Sequence, residues 1–187
     1  MSSRFALGLA SLTTLLVFTA CARDLDPLGL APFPDQPIVF ADGLAPNVDF
    51  QAFAGSKTDA LSVDPLERRN GSTSLRASVP LPSDPSGSYA GGAFVATVPR
   101  DLTAYNALTF WAKASTGITL NTAGIGNDNT GTSRFTAEVE GGLPLSTGWT
   151  KLTLPIPDAS FLDQEGGLFF FAEGAEGSSA YDLSLIH

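Results

Sequence analysis

The feature that most constrains this chain is a two-residue alternation of apolar and polar side chains, repeated in short runs that turn residues interrupt. Over residues 107–114, Leu108, Phe110 and Ala112 fall on one side and Thr109, Trp111 and Lys113 on the other. That is the period of a half-buried strand. The same pattern predicts strands over 74–81 (Leu75, Ala77, Val79, Leu81), 93–98 (closed by Pro99), 135–139 (Phe135, Ala137, Val139) and 149–156 (Leu152, Leu154, Ile156). Val48, Phe50, Ala52 and Ala54 share one face of another, and residues 118–125 read as one more. Ile38, Val39 and Phe40 make a short β-branched and aromatic run ended by Asp42-Gly43, and Leu168 to Ala172 is apolar on both faces, as a central sandwich strand would be. Residues 68–72, 83–92 and 127–131 are loops rich in Gly, Ser, Asn or Pro. Roughly nine or ten strands at close spacing, with no helical periodicity, predict an all-β protein, a β-sandwich of jelly-roll type.

The N-terminus must be set aside before the fold is argued. Arg4 precedes an apolar stretch from Phe5 to Phe18, too short for a membrane span and suited to a signal peptide over 1–20. Val17-Phe18-Thr19-Ala20-Cys21 resembles a bacterial lipobox, with Phe18 where Leu is more usual. That resemblance implies a multiply acylated Cys21, firmly anchored, and Ala22 after it implies the outer membrane, facing the periplasm or the cell surface. Cys21 is the only cysteine, so no internal disulfide is available. A plain secretory cleavage near Ala20 is the alternative. Residues 21–37, with Pro27, Pro32, Pro34 and Pro37, form a semi-rigid tether. The binding domain is expected over 38–182. The last five residues, 183–187, read like a translated transposon-end sequencing adapter, in which case the gene continues beyond Asp182 and His187 carries no functional weight. Strand-like character at Leu183, Leu185 and Ile186 is the other reading.

About 165 residues remain after the signal, the size of one ordinary domain. The net charge of −9 argues against nucleic acid, whose phosphates need a basic face. His187 is the only histidine, so a histidine-based triad or metal site has no members. Gly124-Ile125-Gly126 lacks the third glycine and the helix of a phosphate loop. Glu138 and Glu140 on one strand face, and Glu173 and Glu176 in a turn, read as solvated acidic surface in preference to a hydrolytic carboxylate pair.

Several segments together resemble carbohydrate-binding modules of the galactose-binding-like jelly-roll class. They are Phe40-Ala41-Asp42-Gly43, the stretch from Arg69 to Leu75, Tyr89 to Phe94, Tyr105 to Ala114, and Thr147 to Leu152 with Pro155-Ile156. The order and spacing match across most of 40–182. The resemblance implies a non-catalytic module for polysaccharide or glycan, expected here as a monomer. It also implies a structural calcium, for which Asp42 and Asp182 are the candidate carboxylates. A sugar site needs an aromatic face and flanking polar groups. Trp111, on the face of Thr109 and Lys113, is the aromatic candidate, with a core position as its alternative. Tyr89 is a loop-borne candidate, and Arg134, Asn121, Asn127 and Asp128 are candidate polar partners; Trp149, just after a glycine, reads as structural. Two other functions stay open: an accessory domain of a truncated glycan-active enzyme, and a structural or adhesion module that binds protein.

Overall fold

The computed structural model describes residues 33–177 and 179–186. The expected signal peptide, Cys21, the tether as far as residue 32, and His187 lie outside the described residues. The elements in chain order are β1 (Val48–Ala52), β2 (Leu61–Asp64), β3 (Ser74–Val79), β4 (Tyr89–Arg100), β5 (Ala107–Ala114) and β6 (Ile118–Leu120). They continue with β7 (Thr122–Ile125), β8 (Ala137–Glu138), β9 (Leu143–Leu145), β10 (Thr150–Pro155), β11 (Glu165–Gly174) and β12 (Tyr181–Ile186), with one 3-10 turn at Ala159–Phe161. A first sheet has the order β1-β4-β11-β7-β8 and a second β10-β5-β12-β3-β2; β6 and β9 pair separately. Every pairing is antiparallel. The chain is an all-β sandwich, as its alternation predicts.

The two sheets meet over a phenylalanine cluster. Phe94 and Phe169 from the first sheet stack with centroids 5.7 Å apart, and Phe169 reaches Phe110 of the second at 5.0 Å. Phe50 and Phe171 extend the cluster along the first sheet. Leu75, Ala77, Val79, Leu108, Ala112, Leu183 and Leu185 close it from the second, all buried. Arg100 is buried as well, and it donates to the carbonyls of Gln36, Ile38 and Pro46. Those three bonds tie the segment before β1 onto the sandwich and satisfy the guanidinium where water cannot.

Several elements differ from the sequence reading. The run 118–125 is two strands rather than one, broken at Asn121, whose backbone N–H donates to Glu173 and whose side chain accepts from the Gly174 N–H. β6 therefore leaves the first sheet to pair with β9, an element the alternation did not show. The start of β4 moves back from Ala93 to Tyr89, because Ser56 bridges Tyr89 and its hydroxyl accepts from the Gly91 N–H. The segment from Ile38 to Phe40 keeps only a bridge from Phe40 to Leu44. At the other end, β12 runs through Asp182 without interruption. Leu183 and Leu185 point into the core while Ser184 lies between Arg76 and Lys113 in the ladder, so these residues take the middle of the second sheet.

Leu183 is fully buried between β3 and β5. Leu183→Ala is expected to lower the free energy of unfolding by about 2–5 kcal/mol, as other buried leucine truncations do. Urea denaturation followed by tryptophan fluorescence reads it, and a loss under about 1 kcal/mol would show that β12 is not a core strand.

Candidate functional site

Burial of Leu108, Phe110, Ala112 and Ala114 turns Thr109, Trp111 and Lys113 to the outer face of the second sheet. The neighbouring strand β10 is in register with β5 so that Lys151 stands opposite Trp111. Continuing that ladder by one pair puts Trp149 opposite Lys113, and the Lys113 ammonium indeed lies 6.0 Å from the centre of the Trp149 ring. By extension of the ladder the two tryptophans are diagonal neighbours on one outward face, roughly 7–8 Å apart by strand geometry. Both side chains are half-buried.

A loop between β2 and β3 folds over this face. The Arg69 guanidinium lies 3.2 Å from the centre of the Trp111 ring, and Glu67 pairs with Lys113 at 2.8 Å. Asp64 starts the loop by accepting from the N–H groups of Leu66 and Glu67, and Ser74 ends it by donating to the Glu67 carbonyl. The far side is held by Asp42, which accepts from the N–H groups of Ser72 (2.6 Å) and Thr73 (3.0 Å). Those two amides lower the pKa of Asp42 below the usual aspartate range. Asp42 itself has φ 64°, a left-handed conformation that aspartate tolerates. Gly71 is required here: its φ is +74°, and a Cβ would collide with the Asp42 carboxylate. Between loop and sheet lies a hollow of about 270 Å³ walled by Asp42, Asn70, Gly71, Thr109, Trp111 and Lys151. A second hollow of about 420 Å³ lies along the same face, walled by Asp64, Glu67, Arg76, Lys113, Asp182 and Ser184.

The other candidates fall in different places. Tyr89 is the first residue of β4 rather than part of a loop, and its hydroxyl donates to the Ala54 carbonyl. It pairs with Gly174, to which Asn121 also bonds, so Tyr89 and Asn121 mark one end of β11. Asn127, Asp128 and Arg134 gather at the opposite end, near Glu165. Asn127 and Asp128 cap their own loop, accepting from Asn129 and from Thr130 and Ser133, while Arg134 pairs with Asp163 at the surface. These two groups are separated by the length of β11, roughly 25–30 Å at 3.3 Å per residue. Trp111 is on the other sheet. The expected residues therefore do not converge on one site, and Trp111 finds its partners in Trp149, Arg69 and Lys151.

Asp42 and Asp182 are not brought together either. Asp42 holds Thr73 at the start of β3, and Asp182 accepts from the Ser78 hydroxyl near its end. Five residues of extended strand separate those points, roughly 16 Å. The pair does not fit a shared calcium. Among the described residues no three Asp, Glu, His or Cys side chains converge in a metal-holding group.

Glu173 corrects the reading of it as a solvated turn residue. It lies in β11 with its side chain fully buried, accepting from the Tyr181 hydroxyl and, at 2.6 Å, from the Asn121 N–H. Burial pushes its pKa above the usual glutamate range, although those two bonds oppose the shift. Glu176 is nearby, accepting from the Thr119 N–H.

No family model and no curated protein matches the sequence. Among solved structures, a family 30 carbohydrate-binding module superimposes with a TM-score of 0.52 at 18% identity, covering 82% of each chain. The fold is shared. A family 30 module from a cellulosomal cellulase of Clostridium thermocellum aligns at 16% identity over 82% of this chain and 91% of its own, with a TM-score of 0.49.

Two measurements follow from these contacts. Gly71→Ala should undock the loop and uncover Trp111, raising the acrylamide quenching constant of the intrinsic fluorescence; an unchanged constant would mean that Arg69 does not shield the ring. Glu173 binds its proton more tightly folded than unfolded, so its contribution to stability is present below the ordinary glutamate pKa and is lost as pH rises through the raised value. Glu173→Gln is accordingly expected to gain stability relative to the wild type between pH 4 and pH 8 in chemical denaturation. A difference that stays constant with pH would contradict the raised pKa.

Proposed function

We propose that this chain is a carbohydrate-binding module, non-catalytic by itself, that holds a polysaccharide or glycan against the outer face of its second sheet. The observation that carries this reading is that Trp111 and Trp149 lie on the same outward face, Trp111 opposite Lys151 and Trp149 beside Lys113. A pyranose presents an apolar face bordered by hydroxyls. Two indoles at strand spacing match that apolar face, and Thr109, Asn70, Asp42 and Lys151 supply donors and acceptors at the border. At Trp111 the contact is shared: the indole supplies apolar area and Arg69, lying on it, supplies N–H donors.

Anchoring and export belong to the same proposal. Acylation at Cys21 and a proline-rich tether over 21–37 would hold a monomeric module off the outer membrane, facing the periplasm or the cell surface. Such a module raises the local concentration of a glycan at the membrane and leaves its bonds intact. The support for this part is the lipobox resemblance and the proline spacing. Sequencing the gene through its 3′ end tests whether the module stands alone or precedes a catalytic domain.

Binding is tested by a glycan array followed by calorimetry on the best ligand. Trp111→Ala and Trp149→Ala are each expected to weaken binding about tenfold or more, as buried aromatic anchors do. Retention of full affinity in both variants would move the site elsewhere, and absence of any glycan ligand would overturn the function.

A further inference from the structure

We infer that the polysaccharide taken by this face is anionic, carrying carboxylate or sulfate groups; the inference rests on the face being the glycan site. The chain has a net charge of −9, yet its cations are not spread evenly. Of the eight lysines and arginines among the described residues, Arg76, Lys113 and Lys151 stand on this face, and Arg68 and Arg69 are in the loop over it. The other three are committed elsewhere: Lys57 pairs with Asp84, Arg134 with Asp163, and Arg100 is buried against carbonyls.

The acids of the same face are engaged as well. Glu67 pairs with Lys113, and Asp64 accepts from loop amides with Arg76 at 3.8 Å. Asp42 accepts from the amides of Ser72 and Thr73, which favour its ionised form, and Asp182 accepts from the Ser78 hydroxyl. Five cations against these four carboxylates leave the face one positive charge in excess, and two of the cations, Arg69 and Lys151, stand beside Trp111. Among the described residues no carboxylate forms an ion pair with Arg69 or Lys151. Arg69 lies on the ring and Lys151 stands directly opposite Trp111 in the ladder.

The geometry suits an acid. Stacking on an indole desolvates the flat face of a guanidinium and leaves its N–H edge outward, where it meets two oxygens of a carboxylate or sulfate. Lys151 adds a point charge from the other side. A neutral sugar would meet the two groups only as hydrogen-bond donors, whereas an acidic sugar beside the indole also meets their charge. In a chain this acidic, the two cations also offset the long-range repulsion that an anionic polymer would otherwise meet.

The test uses the full chain with two matched polymer pairs: polygalacturonate against its carboxyl-reduced galactan, and dextran sulfate against dextran. Affinity electrophoresis and calorimetry at low and physiological salt read the difference. The expected result is about tenfold tighter binding of the anionic member of at least one pair, weakening with salt. Arg69→Met and Lys151→Met should each remove most of that preference without changing the melting temperature. Binding of polygalacturonate alone assigns carboxylate as the recognised group, and binding of dextran sulfate alone assigns sulfate. Equal binding of both members of each pair overturns the charge inference and leaves the glycan reading standing. A preference that survives both methionine variants overturns it too. Failure to bind any polysaccharide, neutral or anionic, overturns both readings.

Discussion

Phe169 is the contact on which the rest of the sandwich depends. It stacks on Phe94 and Phe171 within its own sheet and meets Phe110 of the opposite sheet at 5.0 Å. Each such aromatic pair contributes about 0.5–1.5 kcal/mol beyond the area it buries. Its structural consequence matters more than its energy. With Phe110 fixed against Phe169, the two-residue period of β5 leaves Trp111 no choice but to face outward. The register with β10 then brings Lys151 and Trp149 beside it. The proposed site is the reverse side of the core.

A second constraint shapes what lies on that reverse side. The loop between β2 and β3 is exposed and apolar contacts do little to hold it; its backbone is held by the Asp42 and Asp64 carboxylates, which accept from its N–H groups, and by the Ser74 hydroxyl, which donates to the Glu67 carbonyl. Asp42 comes from the turn after Phe40, whose ring is buried in the core, so the anchor is as rigid as the sandwich. Arg69 is thereby carried to the ring of Trp111. A loop held by polar bonds, the Glu67–Lys113 ion pair and one stacked guanidinium can yield to a ligand at small cost, while Trp111 beneath it stays on a fixed strand.

Much of the fold was legible because it is local. Strands β3, β5, β10 and β11 carry their own alternation or a doubly apolar run, and the structure keeps each of them. The outward orientation of Trp111 was legible for the same reason. What failed was non-local. The run 118–125 looks continuous, and nothing within it shows that Glu173, some fifty residues away, captures the Asn121 amide and breaks it. Glu173 itself stands beside Gly174 in a polar stretch, and its burial follows only from its place on the central strand. Trp149, just after Gly148, read as structural, because its face is defined by pairing with β5 and not by its own neighbours. Arg69 stood at the start of a resembling loop segment, and nothing in its own neighbours aimed it at the sheet. Loop residues that cap a sheet are placed by anchors far away in sequence, here Asp42. Tyr89, Asn121, Asn127, Asp128 and Arg134 had the right chemistry for a sugar, but the ends of β11 hold them apart.

The central claim is that Trp111 and Trp149 form one glycan-contacting face. The chain has two tryptophans, so a nitrogen–proton correlation spectrum of the labelled protein holds two indole N–H signals. Titration with the best-binding oligosaccharide is predicted to shift both signals together, along one saturation curve. Saturable binding that leaves both indole signals in place would contradict the claim and put the glycan on another surface of the sandwich.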